Sequence, residues 1–393
     1  MKLLRTSALD RLVAITAAVL IAVLASVAGC GGGVGVGGTG AFASGPITGF
    51  GSIIVAGIEF EDSTARVVDD DGAASSRSVL RLGMVTEVES GPVGGSADAP
   101  TATATTVRYA SELLGPVASV NPAASTLVVF GQTVKVSATT VFDDTLTSGL
   151  ASVVPGSVVE VYGFFDGAAG SYVATRIEPR TAPAFFKLHG PVSALDAAAH
   201  SFAIGGIGFS FVTLPAGLAN GELVRVRSDT TTTNGRWGVR SVGEGRPRLP
   251  DTDRARLRGP ISAFTSSRAF SVNGQVVDAA TASFPDGEAG LALGVRVDIE
   301  GSAVAGVLRA TVVQIDDDGG AQGGFELKGG IDSVQPVLQT FVLRGVTVFY
   351  GAPALEFQDG TAADIKAGAQ VEVRGLLTGG GTRLLATRIK FKK

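Results

Sequence analysis

The chain is poor in the residue types on which most catalytic and metal sites depend. Its 393 residues include one cysteine, two histidines and one tryptophan, and only 17% of them are charged. A single cysteine excludes an intrachain disulfide and a cysteine-rich metal site. A formal net charge of −4 argues against a general binder of polyanions. We therefore predict no cofactor, no metal ion and no nucleic-acid partner.

The only long apolar run lies at the N-terminus. A positively charged start, Met1 to Arg5, precedes the apolar residues 12–29, and small residues lead to Cys30. This pattern indicates an export signal. An uncleaved membrane-spanning helix is the alternative, because the run approaches the roughly 20 residues that span a bilayer.

The end of this run resembles the lipobox of bacterial lipoprotein precursors. The resemblance implies that Cys30 is lipidated, becomes the mature N-terminus and anchors the protein in a membrane. Two or three acyl chains give stable anchoring where one chain is marginal. Gly31 follows the cysteine, where aspartate favours retention in the inner membrane, so we expect an outer-membrane location.

A short motif recurs along the rest of the chain. Gly-Pro followed by Ile or Val, or a close variant, begins at Gly45, Gly115, Gly190, Gly259 and Gly329. Subtracting successive positions gives spacings of 70, 75, 69 and 70 residues. A fixed period of this kind indicates one module copied in tandem.

Each copy also carries the signals of β-structure. A second landmark, such as Gly156 to Gly163, alternates apolar and polar residues as a half-buried strand does. Asn273-Gly274 between two apolar runs predicts a hairpin with a type I′ turn. The sequence therefore predicts an all-β protein of five tandem small β-barrels, OB-like or SH3-like, because closure removes exposed strand edges. Helix is limited to single turns, with 146–151 and 361–366 as candidates.

These landmarks divide the chain into a leader, a tether and five modules. The Gly-rich tether formally contains G-x-G-x-x-G at 35–40, but no strand precedes it and no helix follows, so it does not indicate a dinucleotide site. The polar segment between the third and fourth modules favours loosely connected bodies there. The predicted boundaries are 1–29 for the signal peptide, 30–44 for the lipidated cysteine and tether, 45–110, 112–180 and 186–243 for repeats one to three, 244–254 for a linker, and 255–316 and 325–391 for repeats four and five.

Together, the lipobox, the tether and the stretch from Gly45 to Phe60 resemble a family of bacterial envelope lipoproteins. Its members carry tandem copies of a β-barrel domain of unknown function (family 5666). The resemblance covers nearly all of the mature chain and implies fold and location, but no catalytic residues. Repeat one departs from the pattern by an insert over 90–105. Repeat three departs by Arg225, which stands where the other copies have an acid.

Few residues are candidates for chemistry. His189 and His200 lie in repeat three and are interpreted as surface or turn histidines. The runs 69–71 and 316–318 are three aspartates each and could bind Ca²⁺, although turn chemistry explains them equally well. The repeated acids are interpreted as keeping an edge strand soluble: Glu87, Glu160, Asp298 and Glu372. The clustered arginines are interpreted as a solvated basic linker: Arg236, Arg240, Arg246, Arg248, Arg254, Arg256 and Arg258.

The sequence thus favours a non-enzymatic envelope lipoprotein that displays its barrels as a structural, adhesion or assembly module. Its partners are the membrane, through the lipid anchor, and an envelope protein or polysaccharide. The alternative is a protein that binds saccharide or another envelope polymer on the barrel faces. A recurrent exposed aromatic residue would support this alternative, whereas Phe130, Phe270 and Phe341 lie among apolar neighbours and suggest core. A hydrolase is the third hypothesis.

Overall fold

The computed structural model describes residues 40–96, 99–245, 249–316, 324–378 and 381–392. The predicted signal peptide, Cys30 and most of the predicted tether lie outside these residues. The described part belongs to one compact unit. None of its helices is long and apolar enough to cross a membrane.

The first group of strands closes on itself. β1 pairs with β2, β2 with β3, β3 with β8 in parallel, β8 with β6, and β6 with β1. The result is a small barrel-like sheet. Its strands are β1 (Ala41–Phe50), β2 (Ile53–Val55), β3 (Ile58–Glu61), β4 (Arg66–Val68), β5 (Ala74–Ser75), β6 (Val85–Ser90), β7 (Gly94–Ser96) and β8 (Ala99–Tyr109).

The second and third groups make the same cycle of pairings, with one parallel pair in each cycle. The second contains β9 (Leu113–Asn121), β10 (Thr126–Val129), β11 (Gln132–Lys135), β12 (Val141–Phe142), β13 (Val158–Asp166) and β14 (Ser171–Pro179). The third contains β15 (Phe186–Asp196), β16 (Ser201–Ile204), β17 (Ile207–Ser210), β18 (Leu223–Thr233) and β19 (Arg236–Glu244).

The fourth and fifth groups repeat the cycle once more, and in the fifth group the first strand is split into β25 and β26. The fourth contains β20 (Thr252–Ser266), β21 (Ala269–Val272), β22 (Gln275–Asp278), β23 (Arg296–Val304) and β24 (Val307–Ile315). The fifth contains β25 (Phe325–Gly330), β26 (Ser333–Gln335), β27 (Thr340–Leu343), β28 (Val346–Phe349), β29 (Glu356–Gln358), β30 (Gln370–Thr378) and β31 (Arg383–Phe391).

Helical structure in the described residues is confined to single 3₁₀ turns, and two of these overlap the predicted candidate segments. The turns are Arg77–Val79, Pro122–Ala124, Gly149–Ser152, Pro336–Leu338 and Ala362–Asp364. The prediction of an all-β chain with isolated helical turns is therefore confirmed.

The recurring landmarks occupy equivalent places in these groups. Each Gly-Pro motif or variant lies in the first strand of its group. The predicted hairpin at Asn273-Gly274 has positive φ at both residues, 51° and 79°, as a type I′ turn requires. Gly163 lies at a β-bulge, and a Cβ there would stand 2.1 Å from the Val173 carbonyl oxygen. Glycine is required at that bulge because the partner backbone comes too close for a side chain.

The groups are joined to one another by strands. Residues 41–44 of β1 pair in parallel with 254–257 of β20, and the end of β1 pairs with β25. Residues 113–114 of β9 pair with 187–188 of β15. The predicted loose connection between the third and fourth modules falls partly on residues outside the described ranges, and the described residues on both sides of it belong to the same compact unit.

The hydrophobic cores merge across these joints. One cluster combines residues of the first and fifth groups with Val141 and Tyr162 of the second, and another combines residues of the second and third. The fourth group contains Phe42 of β1 in its own core. Phe42 is 1% exposed, so residues 41–44 lie in a buried strand and not in a tether as predicted.

Candidate functional site at the polar junction

A set of buried and half-buried polar side chains, most of them charged, lies where the first three groups meet. We call it the polar junction. It comprises Asp70, Ser111, Glu112, Lys187, His189, Arg225 and Arg227. Asp70 follows β4, Ser111 and Glu112 connect β8 to β9, and the remaining four side chains come from β15 and β18. Lys187 lies opposite Arg227 and His189 opposite Arg225 in the antiparallel pair β15–β18, so each cross-strand pair presents two basic side chains.

Asp70 is the acidic centre of the junction. Its carboxylate lies 2.7 Å from Lys187 Nζ and 2.8 Å from Arg227 Nη2, and its side chain is only 4% exposed. Arg227 also contacts Asp69 at 3.2 Å and Asp71 at 2.6 Å. The first aspartate run is thus an ion-pair partner of the third group, which explains it without a calcium ion.

A second contact joins the connection after β8 to the third group. The Glu112 carboxylate hydrogen-bonds to His189 Nδ1, and Arg225 Nη2 lies 3.8 Å from the other carboxylate oxygen. The interpretation of His189 as a surface or turn residue is wrong: it lies in β15 and is 6% exposed. His200 does lie in a turn, with φ of 52°, and its ring packs against Phe211.

Ser111 extends the junction into the second group. Lys187 Nζ donates to Ser111 Oγ at 3.0 Å, and Ser111 Oγ donates to Glu160 at 2.6 Å. Glu160 in turn pairs with Arg180 at 2.7 Å. The first three groups are therefore linked by one continuous chain of ion pairs and charge-assisted hydrogen bonds from Asp70 through Lys187 and Ser111 to Glu160.

The electrostatics of the junction favour its ionised state. Burial raises the pKa of Asp70, but the charges of Lys187, Arg225 and Arg227 outweigh burial and hold that pKa below its usual value. Burial likewise raises the pKa of Glu112, but His189, Arg225 and Lys187 outweigh burial and hold that pKa below its usual value. Both carboxylates are thus committed to ion pairs, and the arrangement can clamp strands together.

The repeated acids are not on edge strands, so that interpretation is wrong. Their strands pair on both sides within each barrel, and the acids form ion pairs instead. Asp298 lies 2.9 Å from Arg256 and 2.6 Å from Arg258. Glu87 pairs with Arg108 and Glu372 with Arg388, at 3.7 Å and 3.6 Å.

The five described arginines of the cluster lie in strands β19 and β20 and not in a linker: Arg236, Arg240 and Arg254 are exposed, whereas Arg256 and Arg258 are half-buried. Arg256 and Arg258 hold Asp298, and Arg240 lies 2.7 Å from Asp229. Trp237 packs against Phe130 with ring centroids 5.0 Å apart, so it belongs to a core and is no stacking platform. Arg246, Arg248, Asp317 and Asp318 lie outside the described residues, and Asp316 pairs with Arg296 at 3.5 Å.

The three landmark phenylalanines are core residues, as predicted. Phe130, Phe270 and Phe341 are 3%, 4% and 1% exposed. No group of three or more His, Cys, Asp or Glu side chains suited to a metal ion occurs within the described ranges. Four residues of the polar junction were not predicted from the sequence: Ser111, Glu112, Lys187 and Arg227. The sequence signal was indirect: Arg225 stands where the other copies have an acid, which indicates an acidic partner outside its own module.

The fold and the junction define a class of protein, an all-β chain of successive small barrel-like sheets clamped to one another. Residues 115–178, 258–314 and 328–390 match a family described as "Domain of unknown function (DUF5666)", so three segments of the chain are copies of one repeated domain. These segments coincide with the second, fourth and fifth groups. Comparison with curated proteins finds no match.

Proposed function

We propose that this protein is a non-enzymatic, lipid-anchored envelope protein that displays a rigid body of β-barrel modules as a structural, adhesion or assembly element. The observation that carries the proposal is the polar junction together with the shared strands. Because strands and buried ion pairs connect the groups, a force or ligand at one module is transmitted to the others. A spacer or adhesion element benefits from this stiffness.

We further propose that all five groups are copies of one OB-type barrel. In each cycle the first strand pairs with the second and fourth, and the third pairs in parallel with the fifth. A five-stranded Greek-key arrangement of this kind supports the proposal, since the OB fold is a five-stranded Greek-key barrel. The first and third groups, which lie outside the family matches, fit the same cycle.

The anchor is tested by metabolic labelling of bacteria that express the full chain, using an alkyne analogue of palmitate. We expect label on the wild type, recovery in the outer-membrane fraction, and loss of both in Cys30→Ala. Far-UV circular dichroism of wild type and variant checks that the substitution leaves the fold unchanged. Equal labelling of wild type and variant would overturn the anchor.

The role of the body is tested by photo-crosslinking in intact cells, followed by identification of what is captured. We expect an envelope protein or polysaccharide, captured by the wild type and lost in Cys30→Ala. A low-molecular-weight substrate turned over by the purified chain, with turnover abolished in His189→Gln, would contradict a non-enzymatic role.

A further inference from the structure

A groove of about 680 Å³ lies between the first and fourth groups. Its floor is the sheet that continues from β1 through β20 to β23, and its wall is the hairpin of β7 and β8. That hairpin is the insert by which the first group departs from the others. In the fourth group, by contrast, Ala305-Gly306 alone joins the equivalent strands.

The size of the groove suits a ligand. Small-molecule sites occupy about 300–1,000 Å³. The hairpin presents Gly94 and Ser96 to the groove, and both are exposed. The L45 loop of OB barrels, the connection between their fourth and fifth strands, takes part in binding oligosaccharides and oligonucleotides. The β7–β8 hairpin occupies that place in the first group.

The polar lining carries donors and acceptors side by side. Asp253 and Arg254 are exposed, adjacent in sequence, and have no ion-pair partner among the described residues. Glu300 also lines the groove; its side chain is 52% exposed and forms one ion pair among the described residues, with Arg256 at 3.2 Å. An arginine only donates and a carboxylate only accepts. A ligand must therefore offer both kinds of group within a short distance.

Hydroxyl groups meet this requirement because each donates and accepts. An anion would face Asp253 and Glu300, and a cation would face Arg254. The half-buried Val93 and Pro100 supply apolar surface for the C–H faces of a sugar ring. We infer that this groove binds a neutral oligosaccharide. The inference rests on the proposed function as a displayed adhesion element and names its ligand class.

The experiment is a titration of the full chain in detergent micelles with four probes: maltohexaose, cellohexaose, chitohexaose and the acidic hexagalacturonate. We expect saturable binding of at least one neutral probe. A Cβ at Gly94 meets no atom within 4 Å, so Gly94→Trp can fill the groove without disturbing the backbone. It should weaken binding by at least tenfold, about 1.4 kcal/mol or more.

Arg254→Ala tests the polar lining and should weaken binding by about tenfold. Its matched control is Arg309→Ala, an exposed arginine on neighbouring β24 that does not line the groove, which should bind as the wild type does. Far-UV circular dichroism checks the fold of each variant.

Three results would overturn the inference: no binding of the neutral probes at millimolar concentration, unchanged binding by Gly94→Trp, or binding of hexagalacturonate alone. None of these results depends on lipidation, so failure here and failure of palmitate labelling are distinguishable.

Discussion

The third and fourth groups share a strand order but satisfy their charges differently. In the fourth group, Asp298 on β23 is held by two arginines of the adjacent strand β20. In the third group, Arg225 takes the equivalent place on β18 and reaches Asp70 and Glu112, outside its own barrel. Replacing an acid by an arginine has thus turned a contact within a barrel into a contact between barrels.

The bulge position shows a second difference between the same groups. A Cβ added at Gly301 of the fourth group would lie 2.1 Å from the Arg309 carbonyl oxygen. The pairing of β23 with β24 continues on both sides of this bulge. Ser228 replaces Gly301 in the third group, where the pairing of β18 with β19 is interrupted up to Thr232. A side chain is accommodated there because the partner strand diverges. The first group likewise has a serine at the bulge, Ser90, and the pairing of β6 with β8 ends there.

The largest loss of stability is expected from a substitution at Asp70, the centre of the contacts between groups. Asp70→Ala leaves the buried Lys187 without its carboxylate partner and removes one of the three aspartates that contact Arg227. Breaking a buried ion pair from one side costs about 3–5 kcal/mol. We expect a loss of that size in the free energy of unfolding, measured by far-UV circular dichroism in urea. A loss below about 1 kcal/mol would match an exposed pair and contradict a clamp.

The same contact makes stability depend on pH. The pKa of Asp70 is lowered in the folded protein, so its stabilising contribution is full above the pKa of the unfolded chain, about 4, and is lost as pH falls through the folded value. The difference in free energy of unfolding between the wild type and Asp70→Asn should therefore be largest above about pH 5 and shrink in acid. Urea titrations across this range measure it, and a difference constant with pH would refute the ion pair.

A smaller effect is expected at the bulge. Gly301→Ala forces a methyl group against a carbonyl oxygen and should cost about 1–3 kcal/mol, as overpacking does. Ser228→Gly, the reciprocal change in the third group, should cost less. Thermal unfolding of both variants measures the two losses of stability. Equal losses would show that the two bulges are equivalent.

The smallest effect is expected at the exposed pair of Asp229 and Arg240. Both side chains are nearly half exposed, and such pairs contribute about 0–1 kcal/mol. Asp229→Ala should lie in that range in the same urea assay and serves as the matched control for Asp70→Ala. A loss as large as that of Asp70→Ala would show that burial does not distinguish the two pairs.

Local features of the fold could be predicted from sequence because their causes are local. The Asn273-Gly274 turn needs positive φ at two adjacent residues. The alternation around Glu160 predicts one buried face, whereas β13 is buried on both faces there because Glu160 pairs with Arg180 and Ser111. Partners of the charged residues could not be predicted. Glu112 and His189 are 77 residues apart, and their contact depends on how barrels pack. The burial of residues 41–44 could not be predicted either, because it depends on pairing with β20 and on the core of the fourth group, which contains Phe42.

The central claim is that the polar junction couples the groups, and the single tryptophan of the chain tests it directly. Trp237 lies in the third group, packed on Phe130 and Phe186, whereas Asp70 lies in the first. Urea unfolding followed by tryptophan fluorescence therefore reports whether a change in one group is felt in another. We predict that Asp70→Ala moves the fluorescence midpoint to lower urea together with the far-UV transition. An unchanged fluorescence midpoint in Asp70→Ala would mean that the barrels unfold independently and would contradict the account.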